Sequence, residues 1–322
     1  MLIPMRRRRI TSLHPIGYYH LMSRTVNGEA WFGDNEREVL RKMIHQVSDF
    51  SGIRVITYAV MKNHFHLLVE VRREVEISDA ELVRRYRVLY PSPTLWQPMS
   101  ADALAKILEE DTIEARQIRS GLLRRMHDAS WLMKTLKQRF SNWFNKSRDR
   151  FGPVWAERFK SVLVEGDFKT LRTVAAYIDL NSVRSGIVED PKDYRFCGYS
   201  EAVAGHQRAQ EGLLGLDLDL AKYRKILFGA GMAPKDGKES ISREDALKVL
   251  ESENGELPLH VLLRCQIRYF SEGIALGSCE FVEEITERIN RYRKRPARPH
   301  FIHGFPGQFL CALKAIRKNT YR

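Results

Sequence analysis

The stretch MKNHFHLLVE, residues 61–70, constrains the fold more than any other part of the chain. Residues 54–61 are rich in β-branched and aromatic side chains, which favours a strand. The Lys-Asn pair that follows predicts a tight turn, and residues 64–71 predict a second strand running back beside the first. Because side chains alternate along a strand, His64 and His66 share one face, while Phe65 points the other way into the core. We therefore expect a hairpin that leaves a face with two imidazoles available.

The elements around this hairpin mix strands and helices. A strand from Tyr18 and a helix over 35–50 precede it, which makes the order strand, helix, strand, strand. A long helix over 130–147, a strand over 159–165 and a helix over 168–180 follow, the last one with Asp167 as its N-cap. The aromatic stripe of the long helix is typical of a core-facing side.

Composition and charge indicate a globular protein with an anionic partner. The 322 residues have room for one good core and a smaller second one. Apolar residues make up 43% of the chain and charged residues 29%, which excludes a disordered protein. Lys and Arg number 53 against 40 Asp and Glu, and this net charge of +13 favours nucleic acid as partner. A basic protein without such a partner is the alternative.

The cysteines and the apolar runs indicate a cytoplasmic protein. No two of the four cysteines have zinc-finger spacing, and their wide scatter suits reduced thiols. No apolar run is long enough to cross a membrane, and no signal-peptide core follows the basic N-terminus. We therefore expect a cytoplasmic location and no membrane partner.

Two pairs of side chains could carry chemistry. The Cβ atoms of His64 and His66 stand about 6.5–7 Å apart on a strand, a distance that two imidazoles can bridge to one metal ion. Tyr177 and Asn181 are four residues apart and share a helical face, where a phenol can act as nucleophile and an amide oxygen can bind a hard cation. The alternatives are packed histidines, a tyrosine at the edge of the core and an asparagine that ends a helix.

Three blocks of sequence, within residues 16–205, resemble a known family. They are YHLMSRTVNGEAWF, MKNHFHLLVE, and WAERFKSVLVE followed by YIDLNSVRSGIVEDPKDY. In order and spacing they resemble the HUH-type single-strand DNA transposases that use one tyrosine, most closely the REP-associated tyrosine transposases. The chain departs from the family pattern at Lys62, where proline is common, and at Ser182 and Ser185, where proline and alanine are common. Neither departure removes a candidate catalytic side chain.

This resemblance implies a fold and a reaction. The fold is α+β, with a ferredoxin-like or RRM-like antiparallel sheet, a helical insertion and a C-terminal helical region. His64, His66 and Asn181 would hold Mg²⁺ or Mn²⁺, and Tyr177 would attack a DNA phosphorus to form a 5′-phosphotyrosine and a free 3′-OH. The alternative is a non-catalytic nucleic-acid-binding protein on the same fold.

The implied organisation has three parts. A basic N-terminal arm over 1–15 precedes the catalytic domain over 16–205, which contains the insertion over 72–130 with a proline-rich bend between two helices. Residues 206–322 form a basic, mainly helical region that is either a helix-turn-helix DNA reader or a helical cap on the core. A helix over 243–251 is predicted in this region.

The expected partner is single-stranded or hairpin DNA, and a bound protein would be associated with the nucleoid. Both monomer and dimer are compatible with the sequence. Four cations close to the sequence blocks are candidate phosphate contacts, with solvated surface residues as the alternative: Arg24, Arg158, Lys160 and Arg184.

The charge surplus predicts salt-sensitive DNA binding. If four cations contact phosphates, the logarithm of the association constant for single-stranded DNA falls with the logarithm of salt with a slope of about −3, because each contact releases counterions. Fluorescence anisotropy of a labelled oligonucleotide between low and moderate NaCl concentrations measures this slope. A flat response would show that the charge surplus does not contact DNA.

Overall fold

The computed structural model describes residues 9–73, 75–95, 97–110, 112–229, 248–250, 256–291, 296–307 and 309–313. Within these residues seven strands form one sheet, and helices cover both of its faces. The strands are β1 Ile16–Arg24, β2 Arg54–Val60, β3 His64–Arg72, β4 Lys160–Val164, β5 Ala275–Gly277, β6 Pro299–Phe301 and β7 Cys311–Leu313.

The helices of the described residues are mostly short, and α1 and α5 are the longest. They are α1 Asp34–Ser51, α2 Asp79–Leu89, α3 Ala101–Glu109, α4 Ile113–Leu123, α5 Ala129–Ser147, α6 Phe168–Asp179, α7 Asn181–Arg184, α8 Gly198–Val203, α9 Gln207–Leu214, α10 Leu220–Phe228, α11 Leu259–Leu262, α12 Arg268–Glu272 and α13 Cys279–Asn290. None of these helices combines the length and the apolar character that a membrane span requires.

The first four strands have the ferredoxin-like arrangement. Their order is β2-β3-β1-β4, every neighbouring pair is antiparallel, and α1 and α5 lie in the two connections between β1 and β2 and between β3 and β4. The sequence-based expectation of an α+β fold with an antiparallel sheet is confirmed. The predicted hairpin is β2 and β3, and Asp167 caps α6 by accepting a hydrogen bond from the Thr170 backbone N–H.

Both faces of this sheet are covered. Phe65 packs against Trp155 on the side of α1 and α5, where Phe32 and Phe140 also meet. The opposite face, which carries the histidines, lies under α6 and α12. The expectation of an available histidine face is therefore corrected, because His66 is only 7% exposed. Access to that face is through a pocket.

The insertion has more helices than its sequence pattern indicated. The predicted bend is present in the described residues 91–95, but the described part of the insertion contains the three helices α2, α3 and α4 rather than two. Helix α2 packs on α1, and α3 packs on α2, so the insertion extends the helical layer on the Phe65 side of the sheet.

The C-terminal region contains strands as well as the expected helices. β5 pairs in parallel with β4, and β7 and β6 continue the sheet beyond it. Without β5, the backbone N–H groups of Leu163 and Glu165 would be left open at an edge. A strand between α12 and α13 also rules out a helix-turn-helix there. The predicted helix over 243–251 lies outside the described residues except for 248–250.

Two cysteines depart from the prediction of reduced thiols. Cys279, at the start of α13, is bonded to Cys311 of β7. The other two, Cys197 and Cys265, are buried free thiols. The bond joins two elements of the C-terminal region to each other.

In the described part of the predicted N-terminal arm, residues 9–12 are packed and residues 13–15 are exposed. The Arg9 guanidinium lies 4.6 Å from the centre of the Tyr19 ring, and the Ser12 N–H donates to the Tyr19 hydroxyl. Arg288 of α13 donates to the Thr11 carbonyl. This segment therefore belongs to the body of the protein.

A buried carboxyl group anchors α6 from behind. Asp179 accepts hydrogen bonds from the Thr57 hydroxyl at 2.7 Å, the Tyr223 hydroxyl at 2.6 Å and the Tyr199 backbone N–H at 3.1 Å. Burial raises the pKa of this carboxyl to about 7, and the three hydrogen bonds oppose the rise. Because these donors come from β2, α8 and α10, the network sets where α6 lies on the sheet.

The variant Tyr223→Phe is predicted to destabilise the protein by about 1–3 kcal/mol, since it removes one donor from a fully buried carboxyl group. Urea unfolding measures the change. The matched control is Tyr90→Phe, which removes a hydroxyl bonded to Arg125 in a half-buried position and is expected to cost less than about 1 kcal/mol. Equal losses for both variants would contradict an anchoring role of Asp179.

Candidate active site

One pocket of about 430 Å³ opens where β1, β3 and β4 meet the α6–α7 corner and α12. All eight residues that the sequence singled out line it: Arg24, His64, His66, Arg158, Lys160, Tyr177, Asn181 and Arg184. The C-terminal region contributes further lining residues: Gln266, Ser271 and Glu272. The structure thus brings together side chains from distant segments of the chain.

The two histidines lie side by side on β3. Their ring centroids are 5.1 Å apart and the rings are nearly perpendicular. In the antiparallel ladder Met22 of β1 is opposite His66, and Arg24 is opposite His64. Pairing with β1 therefore places a cation next to the imidazole pair.

The α6–α7 corner brings the tyrosine and the asparagine to the histidines. Tyr177 lies in the last turn of α6, which ends at Asp179. Leu180 alone separates this helix from α7, which begins at Asn181. The spacing of four residues keeps both side chains on one face. The Asn181 Nδ2 atom is 3.5 Å from His64 Nε2, so the amide and the imidazole are neighbours.

The four cations divide into two kinds. Arg24, Arg158 and Lys160 are exposed at the rim of the pocket. Arg184 is half-buried, lies with its guanidinium 3.8 Å from the centre of the Tyr177 ring, and donates to the Leu263 carbonyl at 3.0 Å. The rim can therefore meet a flexible polyanion, whereas Arg184 has a defined position beside the phenol.

Burial keeps the histidines neutral. It lowers the pKa of His64 to about 4, with the charges of Arg24 and Arg184 acting in the same direction. For His66, burial and the neighbouring histidines lower the pKa well below its usual value. Neutral imidazoles keep a lone pair, which is the form that binds a metal ion.

Tyr177 is enclosed as well as close to the cations. It is 3% exposed, and the Phe270 ring meets it edge-on with ring centroids 4.7 Å apart. Burial raises the pKa of the phenol, while the charge of Arg184 and a hydrogen bond with the Ile267 backbone oppose the rise. The phenol is therefore protonated at neutral pH, and Arg184 is the charged side chain that favours its ionised form.

Sequence reasoning missed two buried residues beside the site, His20 and Phe270. His20 of β1 has its Nε2 atom 2.8 Å from His66 Nδ1 and its Nδ1 atom 2.8 Å from the Phe270 carbonyl oxygen. Strand alternation places His20 on the same face as Met22, but only the pairing of β1 with β3 brings that face to His66. No local pattern indicates Phe270.

The side chains present fit a divalent cation. The Nδ1 atom of each histidine is engaged, His66 with His20 and His64 with Asn63 Oδ1 at 2.6 Å, which leaves both Nε2 atoms for a ligand. The amide of Asn181 can turn its oxygen to the same space, since the two ends of an amide are interchangeable by rotation. Two imidazoles and an oxygen suit Mn²⁺, Mg²⁺ or Zn²⁺. Among the described residues no group of three His, Cys, Asp or Glu side chains has metal-binding geometry.

The variant Phe270→Leu is predicted to expose Tyr177 and to destabilise the protein by about 1 kcal/mol, because a smaller side chain replaces the ring that covers the phenol. Nitration with tetranitromethane followed by peptide mass spectrometry should show more modified Tyr177. Tyr223 is fully buried elsewhere and serves as the internal control. Unchanged nitration of Tyr177 would show that Phe270 does not limit its access.

Comparison with known proteins finds a family match for the segment that contains the two histidines. Residues 16–88 match the family model described as transposase IS200 like. This segment holds β1, α1, the hairpin and α2, including both histidines, but it ends before Tyr177 and Asn181.

A solved structure of a REP-associated tyrosine transposase bound to a REP hairpin aligns with 75% of this chain and 100% of its own, at 16% identity and a TM-score of 0.37. No curated protein matches the chain. The family match covers residues 16–88, with their strand, helix and histidine hairpin, and agrees there with the family resemblance predicted from the sequence.

Proposed function

We propose that this protein is a metal-dependent single-strand DNA transposase, or endonuclease, that cleaves and rejoins DNA through a covalent 5′-phosphotyrosine. The observation that carries the proposal is the convergence of Tyr177, Asn181 and the two histidines in one cationic pocket. The IS200-like segment supports the proposal, because it supplies two of these four side chains.

Tyr177 is the proposed nucleophile. Its oxygen forms a bond to a backbone phosphorus as the bond from phosphorus to the 3′ oxygen of the preceding nucleotide breaks. The phenolic proton is released, and the 3′ oxygen leaves with a proton as a free hydroxyl. The P–O3′ ester bond is exchanged for an ester bond to the tyrosine oxygen, so the phosphate remains a diester. A second 3′ hydroxyl can therefore reverse the step and join new ends. Arg184 lies against the ring and favours the phenolate that attacks.

His64, His66 and Asn181 are the proposed ligands of Mg²⁺ or Mn²⁺. A divalent ion bound there would supply positive charge beside the phosphate oxygens on which charge develops. The histidines are suited to this role because they are neutral and because their Nδ1 atoms are already hydrogen-bonded. Asn181 adds a neutral oxygen donor next to His64.

The rim cations are the proposed contacts for phosphates on either side of the cleaved bond. Arg24, Arg158 and Lys160 come from β1, from the loop before β4 and from β4 itself, so they surround one end of the sheet. An enclosed tyrosine requires that the strand enter the pocket, which an unpaired strand can do more readily than a duplex. The preference for hairpins or palindromic repeats rests on the resemblance in the three sequence blocks. The proposed setting is the cytoplasm, on nucleoid DNA.

A covalent adduct tests the proposal. Wild-type protein is incubated with Mn²⁺ and hairpin DNA that carries a single-stranded flank and a label at its 3′ end. The 3′ fragment stays attached to Tyr177, so a labelled protein band is expected on a denaturing gel. Tyr177→Phe should reduce this band by at least about 100-fold, since it removes the nucleophile. EDTA should have the same effect, and Tyr90→Phe is the matched control that should leave the band unchanged.

The same gel separates two other functions. Cleavage that persists in Tyr177→Phe and disappears in His64→Ala would indicate a nuclease that uses water. DNA binding without any cleavage would indicate a binding protein on this fold, a candidate that the 3% exposure of Tyr177 favours. Either result would overturn the tyrosine mechanism.

A further inference from the structure

His20 links the C-terminal region to a candidate metal ligand. Its ring lies between the Phe270 carbonyl and the His66 ring. Its Nδ1 atom is 2.8 Å from the Phe270 oxygen, and its Nε2 atom is 2.8 Å from His66 Nδ1. Both histidines are buried, and 250 positions of sequence separate His20 from Phe270. Both contacts therefore depend on the tertiary structure, and both are shielded from water.

The order of these groups decides where the hydrogens lie. A backbone carbonyl can only accept, so the Nδ1 atom of His20 carries a hydrogen and donates it to Phe270. A neutral imidazole has one ring N–H, and the Nε2 atom of His20 is therefore an acceptor. It must receive its hydrogen from His66 Nδ1. The Nε2 atom of His66 is then left with a lone pair.

We propose that His20 is a positioning residue that holds His66 in the tautomer with hydrogen on Nδ1, so that its Nε2 lone pair is available to a divalent cation in the pocket. This inference rests on the proposed function for the identity of the ligand. The fixed end of the chain of hydrogen bonds is the Phe270 carbonyl, which has no tautomer of its own. Hydrogen bonds to the non-ligating nitrogen are the usual means by which proteins orient a histidine ligand.

The two histidines are held differently. His64 has its Nδ1 atom 2.6 Å from the side-chain oxygen of Asn63, its neighbour in sequence. The Asn63 amide is itself oriented, because its nitrogen donates to the Gly28 carbonyl at 2.8 Å, and this pair is only partly buried. His66 has a fully buried partner and a backbone carbonyl behind it. A backbone carbonyl thus fixes the Nδ1 partner of each histidine, and the partner of His66 is the more deeply buried of the two.

The same C-terminal segment reaches the other half of the site. The Phe270 ring packs on Tyr177 while its carbonyl acts through His20, and the Leu263 carbonyl accepts from Arg184. Residues 263–270 therefore contact the nucleophile, its neighbouring cation and the support of a ligand. The C-terminal region is in this respect part of the site.

Two variants of His20 test the inference. His20→Phe keeps a buried ring but removes the acceptor, and His20→Gln restores an oxygen that can accept from His66. Histidine-selective ¹⁵N labelling and long-range ¹H–¹⁵N spectra report the tautomer of His66 without metal or DNA. Wild type should show hydrogen on Nδ1, His20→Phe should show a mixture or the other tautomer, and His20→Gln should return towards wild type.

Mn²⁺ titration followed by electron paramagnetic resonance gives the second readout. His20→Phe should weaken Mn²⁺ binding by about 10–100-fold, and His20→Gln should recover part of the loss. The control is His45→Phe, which removes a partly buried contact to Glu201 outside the candidate site. Thermal unfolding of every variant checks that it is folded.

The results distinguish this inference from the proposed function. An unchanged His66 tautomer in a folded His20→Phe protein would overturn the positioning role, whatever the cleavage activity. A wild type that does not bind Mn²⁺ would overturn the metal assignment and, with it, the ligand role of His66. A failure of Tyr177 to form an adduct would overturn the tyrosine mechanism alone, because the tautomer and the Mn²⁺ affinity are measured without DNA.

Discussion

The site depends on the antiparallel pairing of β1 with β3. This ladder places Arg24 opposite His64 and Met22 opposite His66, and it puts His20 on the same face two residues further along. The same backbone hydrogen bonds thus position the two candidate metal ligands on β3, the hydrogen-bond partner of His66, which is His20, and the cation Arg24. A shift of the register by one residue would turn the histidines towards Phe65's side and destroy both the core and the pocket.

The second half of the site depends on how α6 is attached. Its back is held by the Asp179 carboxyl, which accepts from three different elements, and its front presents Tyr177 to the pocket. A helix can do both because residues two positions apart point in different directions around its axis. The polar network is buried and has all its donors in place, so it can define one position for the helix.

The C-terminal region adds contacts to both the β1–β3 part and the α6 part of the site. It extends the sheet through β5, and its segment 263–270 covers Tyr177 and supports His20. Burial produced in this way has an electrostatic consequence. It keeps the histidines neutral and able to bind a cation, and it also raises the pKa of the Tyr177 phenol, an effect that the charge of Arg184 opposes.

Local patterns in the sequence were enough for the hairpin, the Asp167 cap and the helical spacing of Tyr177 and Asn181, because alternation and helical period depend only on near neighbours. The resemblance of the three blocks added the order of the core strands and the roles expected of the residues. Local patterns could not reveal His20, the Phe270 carbonyl, the three C-terminal strands or the Cys279–Cys311 bond. Each of these depends on groups far apart in the chain that become neighbours only when strands pair and helices pack, so the tertiary structure alone decided them.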